Sequence, residues 1–229
     1  MTISSSVLSS SEDDFWTAIK NEDYQKAAEV GKIIGKTIPE YYYLAGICFH
    51  NISCYEEYGI YRNNYLQLGN PIKLKKILLE QEIQNPDCPQ ILLLEGTIAE
   101  LYPELGLGIS KEFLEKAMTK SDKNPYVYNY LAFYEMNKNN YSEKTKELIE
   151  QAIILKPDLP EAYNNLAVIL NYNQQPEKAL NMLFTSLKKC PNNPINTYYN
   201  IIGLKAFEVV LVISPCDGGG GKTRHEINM

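Results

Sequence analysis

Residues 160–191 decide the fold. They read Pro160-Glu-Ala-Tyr-Asn-Asn-Leu-Ala-Val-Ile-Leu170, then Asn171-Tyr-Asn-Gln-Gln175, then Pro176-Glu-Lys-Ala-Leu-Asn-Met-Leu-Phe-Thr-Ser186, closing at Pro191. A proline suits the first turn of a helix, where its missing N–H would have no intrahelical partner and its fixed φ is already helical. Tyr163, Leu166 and Leu170 fall at helical spacing, as do Ala179 and Leu183, so each run has one apolar face. Small residues at Ala167 and Ala179 let the two helices approach closely, in antiparallel. One such hairpin cannot bury its own apolar face, so the pattern predicts neighbours.

The neighbours are there. Pro89, Pro125, Pro160 and Pro194 each open an apolar run, at steps of 36, 35 and 34 residues. Between them lie second amphipathic segments at 110–120, 142–155 and 176–189, the first two opening on Ser110 and Ser142, residues able to cap exposed N–H groups. The repeat 125–157 carries Tyr128, Leu131, Ala132 and Ala152 and ends on Pro157. Near the N-terminus, Tyr24, Ala27, Ile34 and Pro39 match a second helix, with Phe15 and Trp16 on its partner. Ser11 is a candidate cap there, and Asp13 with Asp14 supply favourable charge at a helix start. From 40 to 85 the period is lost. Helices are expected at 41–51, through a Tyr-rich stretch to Leu68, and, after Gly69-Asn70-Pro71, at 72–84.

The segment from Pro157 to Pro191 resembles the tetratricopeptide repeat family. Tyr163, Leu166, Ala167 and Leu170 stand where that family has its large aromatic, Leu, small residue and Tyr, and Ala179, Leu183, Ser186 and Pro191 follow at the spacing of its second helix and closing Pro. The length, 34 residues, is the family's. Leu170 replaces the usual Tyr, Ser186 the usual Ala, and Pro176 a position often aromatic. The resemblance implies an all-α, right-handed superhelical solenoid of helical hairpins over 11–204, with 125–157 and 158–191 its best repeats. Residues 1–10 are expected to lack structure, and 205–229 to form a strand-like, Gly-rich tail.

Composition narrows the function. The chain has 229 residues, with 28 acidic and 22 basic side chains and a net charge of −6, and Arg62 and Arg224 are its only guanidinium groups. Neither nucleic acid nor an anionic membrane surface is an expected partner. The N-terminus carries no readable secretory signal, and no apolar run is long enough to span a bilayer, so a cytoplasmic protein is expected. Cys48, Cys54, Cys88, Cys190 and Cys216 are odd in number and lack a Cys-x-x-Cys pair, which fits free thiols in a reducing compartment. With His50 and His225 the only histidines, no zinc or other metal site is expected. His50 beside Phe49 reads as structural, and no nucleophile–base pair can be assembled, so no catalytic residue is assigned. In Asp13/Asp14 and Glu56/Glu57 the adjacent carboxylates diverge by about 100° on a helix, unlike a general acid/base pair.

The tail holds the sharpest chemical motif. A β-branched run, Phe207-Glu-Val-Val-Leu-Val-Ile213, leads to Gly218-Gly219-Gly220-Gly221-Lys222-Thr223. It resembles the strand and Gly-rich loop that open a P-loop or nucleotide-sugar glycosyltransferase domain, and Gly218, Gly221, Lys222 and Thr223 are weak phosphate-binding candidates. The P-loop spacing calls for Gly where Cys216 stands, and only eight residues follow Gly221, so no cofactor is expected to bind. The alternative function this motif raises is an N-terminal recruiting arm of an enzyme whose catalytic domain starts near residue 207.

The favoured function is a scaffold or adaptor, not an enzyme, that binds a protein or extended peptide. In the resembling family the first helix of each repeat lines the concave groove. With Tyr163 as register mark, Asn164, Val168 and Asn171 face inward with Asn165 alongside, and Asn129 and Asn200 hold related places. An Asn carboxamide both donates and accepts, which suits sequence-tolerant contact with a peptide backbone; it serves turn-to-turn packing equally well. Groove positions lack the Lys and Arg of repeats that clamp a C-terminal dicarboxylate. The eighteen tyrosines are expected mainly as packing residues, some as peptide anchors.

Overall fold

The computed structural model describes residues 5–51, 55–101, 103–189, 201 and 203. Its helices are α1 (Ser5–Lys20), α2 (Tyr24–Ile34), α3 (Glu40–Asn51), α4 (Tyr55–Leu68), α5 (Pro71–Gln84), α6 (Pro89–Leu101), α7 (Ser110–Lys120), α8 (Pro125–Asn137), α9 (Glu143–Leu155), α10 (Pro160–Tyr172) and α11 (Pro176–Lys189), with one 3-10 turn at Pro103–Leu105. No strand occurs among the described residues. The helix expected at Pro194 and the tail beyond Leu204 lie outside them, apart from residues 201 and 203, which are helical.

Local chemistry starts and stops these helices. Asn70 and Asn124 cap α5 and α8, each accepting two backbone N–H groups, with Pro71 and Pro125 just inside. Ser142 caps α9 by accepting from the Thr145 N–H. Three hairpin turns pass through a left-handed residue that is not glycine: Glu22 between α1 and α2, Asn139 between α8 and α9, and Gln174 between α10 and α11. A left-handed residue ends a helix by turning the chain away from its axis.

Packing repeats with the same interval. The second helices α7, α9 and α11 bury the triads Ser110/Leu114/Ala117, Thr145/Ile149/Ala152 and Ala179/Leu183/Ser186, small, large and small at i, i+4, i+7. Opposite them the first helices place Gly96, Ala132 and Ala167, all buried. The fit at Gly96 is tight: a Cβ there would lie 2.8 Å from Leu114 Cγ and 3.2 Å from the Ser110 carbonyl. The three hairpins pack in sequence, α7 on α8 and α9 on α10, giving a solenoid with one continuous core. At the N-terminal end, Phe15, Trp16 and Tyr41 meet edge to face, and the Trp16 indole donates to the Tyr41 hydroxyl at 3.1 Å.

Three local expectations change. The first helix begins at Ser5, so the stretch expected to lack structure is helical from residue 5. Ser11 therefore stands within the helix and not at its cap, and Asp13 and Asp14 lie exposed in mid-helix. Serine costs a helix only tenths of a kcal/mol, about 0.5 per residue, and burial of Phe15, Trp16, Ala18 and Ile19 anchors the rest. Ser110 is not a cap either: Ile109 holds that place without a side-chain bond, and Ser110 turns inward.

Candidate functional site

The expected groove residues divide into two groups. Asn129 on α8 and Asn164 on α10 are buried, while Val168 and Asn171 are exposed and Asn165 is half-buried. Asn165 and Asn129 are brought together, the Asn165 carboxamide donating to Asn129 Oδ1 at 3.0 Å across successive first helices. Part of the amide row therefore ties repeats to one another. Asn200 and the phosphate candidates Gly218, Gly221, Lys222 and Thr223 lie outside the described residues, as does the tail on which the enzyme-arm alternative rests.

The molecule closes one end of this face on itself. Tyr24 of α2 meets Tyr126 of α8 edge to face, ring centroids 5.0 Å apart. Beside them one carboxylate oxygen of Glu22 accepts from Gln90 Nε2 at 2.9 Å and from Asn124 Nδ2 at 3.0 Å, linking the first hairpin to the starts of α6 and α8. Burial, with the Glu161 and Glu22 carboxylates nearby, raises the Tyr126 phenol well above its ordinary range. Sequence reasoning missed Glu22, Gln90 and Asn124, since a contact spanning 102 residues leaves no periodic trace.

The other end stays open. Val168 is 38% exposed and Tyr172 62%, one turn apart on α10, with Asn171 exposed between them. The Tyr172 ring stacks on Tyr141, centroids 4.1 Å apart. On α8 the corresponding end carries Asn137, which donates to Glu100 of α6 at 2.8 Å, and Tyr134 with the Lys138 ammonium 5.4 Å from its ring centre.

Two clefts recur between second helices. One, of about 210 Å³, is lined by Lys111, Leu131, Glu135, Asn140 and Leu148 among others; the other, of about 290 Å³, by Lys146, Leu166, Leu170, Gln175, Lys178 and Met182 among others. Lys111, Leu131, Glu135 and Asn140 become Lys146, Leu166, Leu170 and Gln175 one repeat later. In the first cleft Lys111 donates to Glu135 at 2.7 Å, and Asn140 to the same carboxylate at 2.8 Å, which holds Glu135 below its ordinary range. Leu170 leaves the second cleft without that carboxylate. Among the described residues no three His, Cys, Asp or Glu side chains gather as metal ligands would, and no helix is long and apolar enough to cross a membrane.

No known family pattern and no curated protein matches this chain in sequence. Solved structures do match in shape. The fold is that of a tetratricopeptide-type helical solenoid. TTC0263, a thermophilic protein of that class from Thermus thermophilus, is 14% identical over 89% of this chain and all of its own, with a TM-score of 0.51. The Cut9–Hcn1 hetero-tetramer of the APC/C contains a chain 14% identical over 80% of this one and 40% of its own, also at 0.51. MamA is 15% identical over 80% of this chain and 91% of its own, at 0.46.

Proposed function

We propose that this chain is a protein-interaction scaffold that receives an extended segment of a protein partner along the first-helix face of its C-terminal repeats. The observation that carries the proposal is the exposed row on α10. Val168 and Tyr172 offer apolar area one turn apart, Asn171 offers a donor and an acceptor between them, and Tyr141 stiffens Tyr172 by stacking. Asn165 and Asn129 flank the row, and Asn164 and Asn200 belong to its expected register. The fold supports the reading, because stacked hairpins present a long continuous surface. Cut9, a structure of similar fold, was solved with Hcn1 as its partner.

The test is affinity capture with the full chain as bait, followed by the Val168→Asp/Asn171→Ala pair. Both side chains are exposed, so melting should move little. Prey that excess soluble wild-type chain competes away, and that vanish with the double variant, support this face. Prey retained unchanged would move the binding surface elsewhere.

A further inference from the structure

The helix α5 carries apolar residues on two opposite sides. Leu74 and Leu78 are fully buried and hold it to the array, and its start is pinned where the Asn70 N–H donates to Glu40 Oε1 at 2.9 Å. Ile72, Leu79 and Ile83 point the other way, 81%, 50% and 71% exposed. At 100° per residue these three fall within about 40° of one another on the helix surface, on the side away from Leu74 and Leu78. With Lys76 they occupy steps of four, three and four residues, the spacing of a coiled-coil seam.

Charge along the helix is ordered too. Lys73, Lys75 and Lys76 stand in its first half, Glu80 and Glu82 in its second, one of each sign on either flank of the stripe. Laying a second α5 antiparallel, with the two-fold axis between Ile77 and Leu78, sets Ile72 against Ile83 and Leu79 against the aliphatic stem of Lys76, each twice. The same register brings Lys73 to Glu80 on one flank, twice by symmetry. On the other flank Lys75 donates to the Gly106 carbonyl at 2.7 Å and Glu82 pairs with Lys116 at 3.8 Å, both within the chain, so the charge match rests on Lys73 and Glu80. A parallel pair at the same seam would place Lys75 beside Glu80 and leave Lys73 without a carboxylate.

From this self-complementary pattern we propose that the outer face of α5 is an isologous dimer contact, occupied by the same face of a second copy of this chain in antiparallel register. A helix of 14 residues is about 21 Å long, so the contact is small and the dimer belongs to the weak, concentration-dependent class. It leaves the open row on α10 free, and it stands independently of that site.

The test is sedimentation equilibrium of the full chain from low to high micromolar concentration at low salt, with circular dichroism to check folding. The wild-type mass should climb toward the dimer, and Leu79→Lys should weaken association by about tenfold or more with an unchanged spectrum. Lys73→Glu and Glu80→Lys should each weaken self-association, because each places like charges across the axis; an equimolar mixture of the two should associate again as a heterodimer. A mass that stays monomeric throughout overturns the proposal and leaves the stripe to a foreign helix. So does a dimer indifferent to Leu79→Lys, or a mixture no stronger than its components.

Discussion

Glu95 lies inside α6, in the run Leu92-Leu-Leu-Glu-Gly-Thr-Ile98, with one carboxyl oxygen buried and unpartnered. Burial, reinforced by the Glu82 carboxylate and only partly offset by Lys116, pushes its acid group up to about 8. A carboxyl raised this way binds its proton more tightly in the folded state. Its contribution is fully present below the ordinary value of 4.5 and is lost as pH rises through about 8. Melting temperature should therefore fall between about pH 4.5 and 8 and level off above that. Glu95→Gln, which keeps the protonated shape without titrating, should flatten that fall and add roughly 2–5 kcal/mol at the alkaline end. An equally steep decline in the variant would place the titrating group elsewhere. Glycines at two depths give a second residue-scale expectation. A Cβ at Gly96 meets Leu114 at 2.8 Å, whereas one at Gly59, within α4, meets nothing within 4 Å. Gly96→Ala should cost about 1–3 kcal/mol through overpacking, and Gly59→Ala should stabilise by about 0.5–1 kcal/mol through reduced unfolded-state freedom. Chemical denaturation of the pair checks both signs.

At the scale of elements, much was legible because the signals are local. Pro89, Pro125 and Pro160 each open a helix, and the break at Gly69-Asn70-Pro71 separates α4 from α5. Where a signal was chemically ambiguous, the structure chose: Ser142 caps α9, while Ser110 and Ser11, the same residue type before a similar run, do not hold cap positions. Ser142→Ala should consequently cost about 1 kcal/mol, and Ser110→Ala close to nothing, since its buried hydroxyl has no partner to lose. The turns were harder to foresee, because Glu22, Asn139 and Gln174 adopt a left-handed backbone that sequence alone assigns most readily to glycine. Gln174→Gly should relieve that conformation at the α10–α11 turn and stabilise the last hairpin by about 1 kcal/mol, measurable as a raised denaturant midpoint. Unaltered stability would mean that the turn stores no such strain.

At the scale of the whole molecule, periodicity foretold the stacking of α6 through α11 but not how the first hairpin meets α6 and α8. The groove register drawn from α10 alone placed Asn129 and Asn164 on an open face, and it could not anticipate that residues more than a hundred positions earlier close the adjoining face. Glu22 is the chemical centre of that closure: one oxygen accepts hydrogen bonds from Gln90 and Asn124, and Tyr24 packs against Tyr126 alongside. Asn124 has two duties, capping α8 through Oδ1 and donating to Glu22 through Nδ2. Asn124→Asp separates them, because aspartate caps a helix as well as asparagine but cannot donate, and it would face Glu22 with a second carboxylate. The loss should be about 1–3 kcal/mol and larger at low salt. Hydrogen exchange should quicken in α1 and α2 while α9 to α11 keep their protection. Adding Glu22→Gln restores an N–H donor opposite the new carboxylate, so the double variant should recover part of the protection. If exchange in the first hairpin is indifferent to both changes, Glu22 is not what holds it against the array, and the Tyr24–Tyr126 contact with its surrounding apolar burial carries the closure alone.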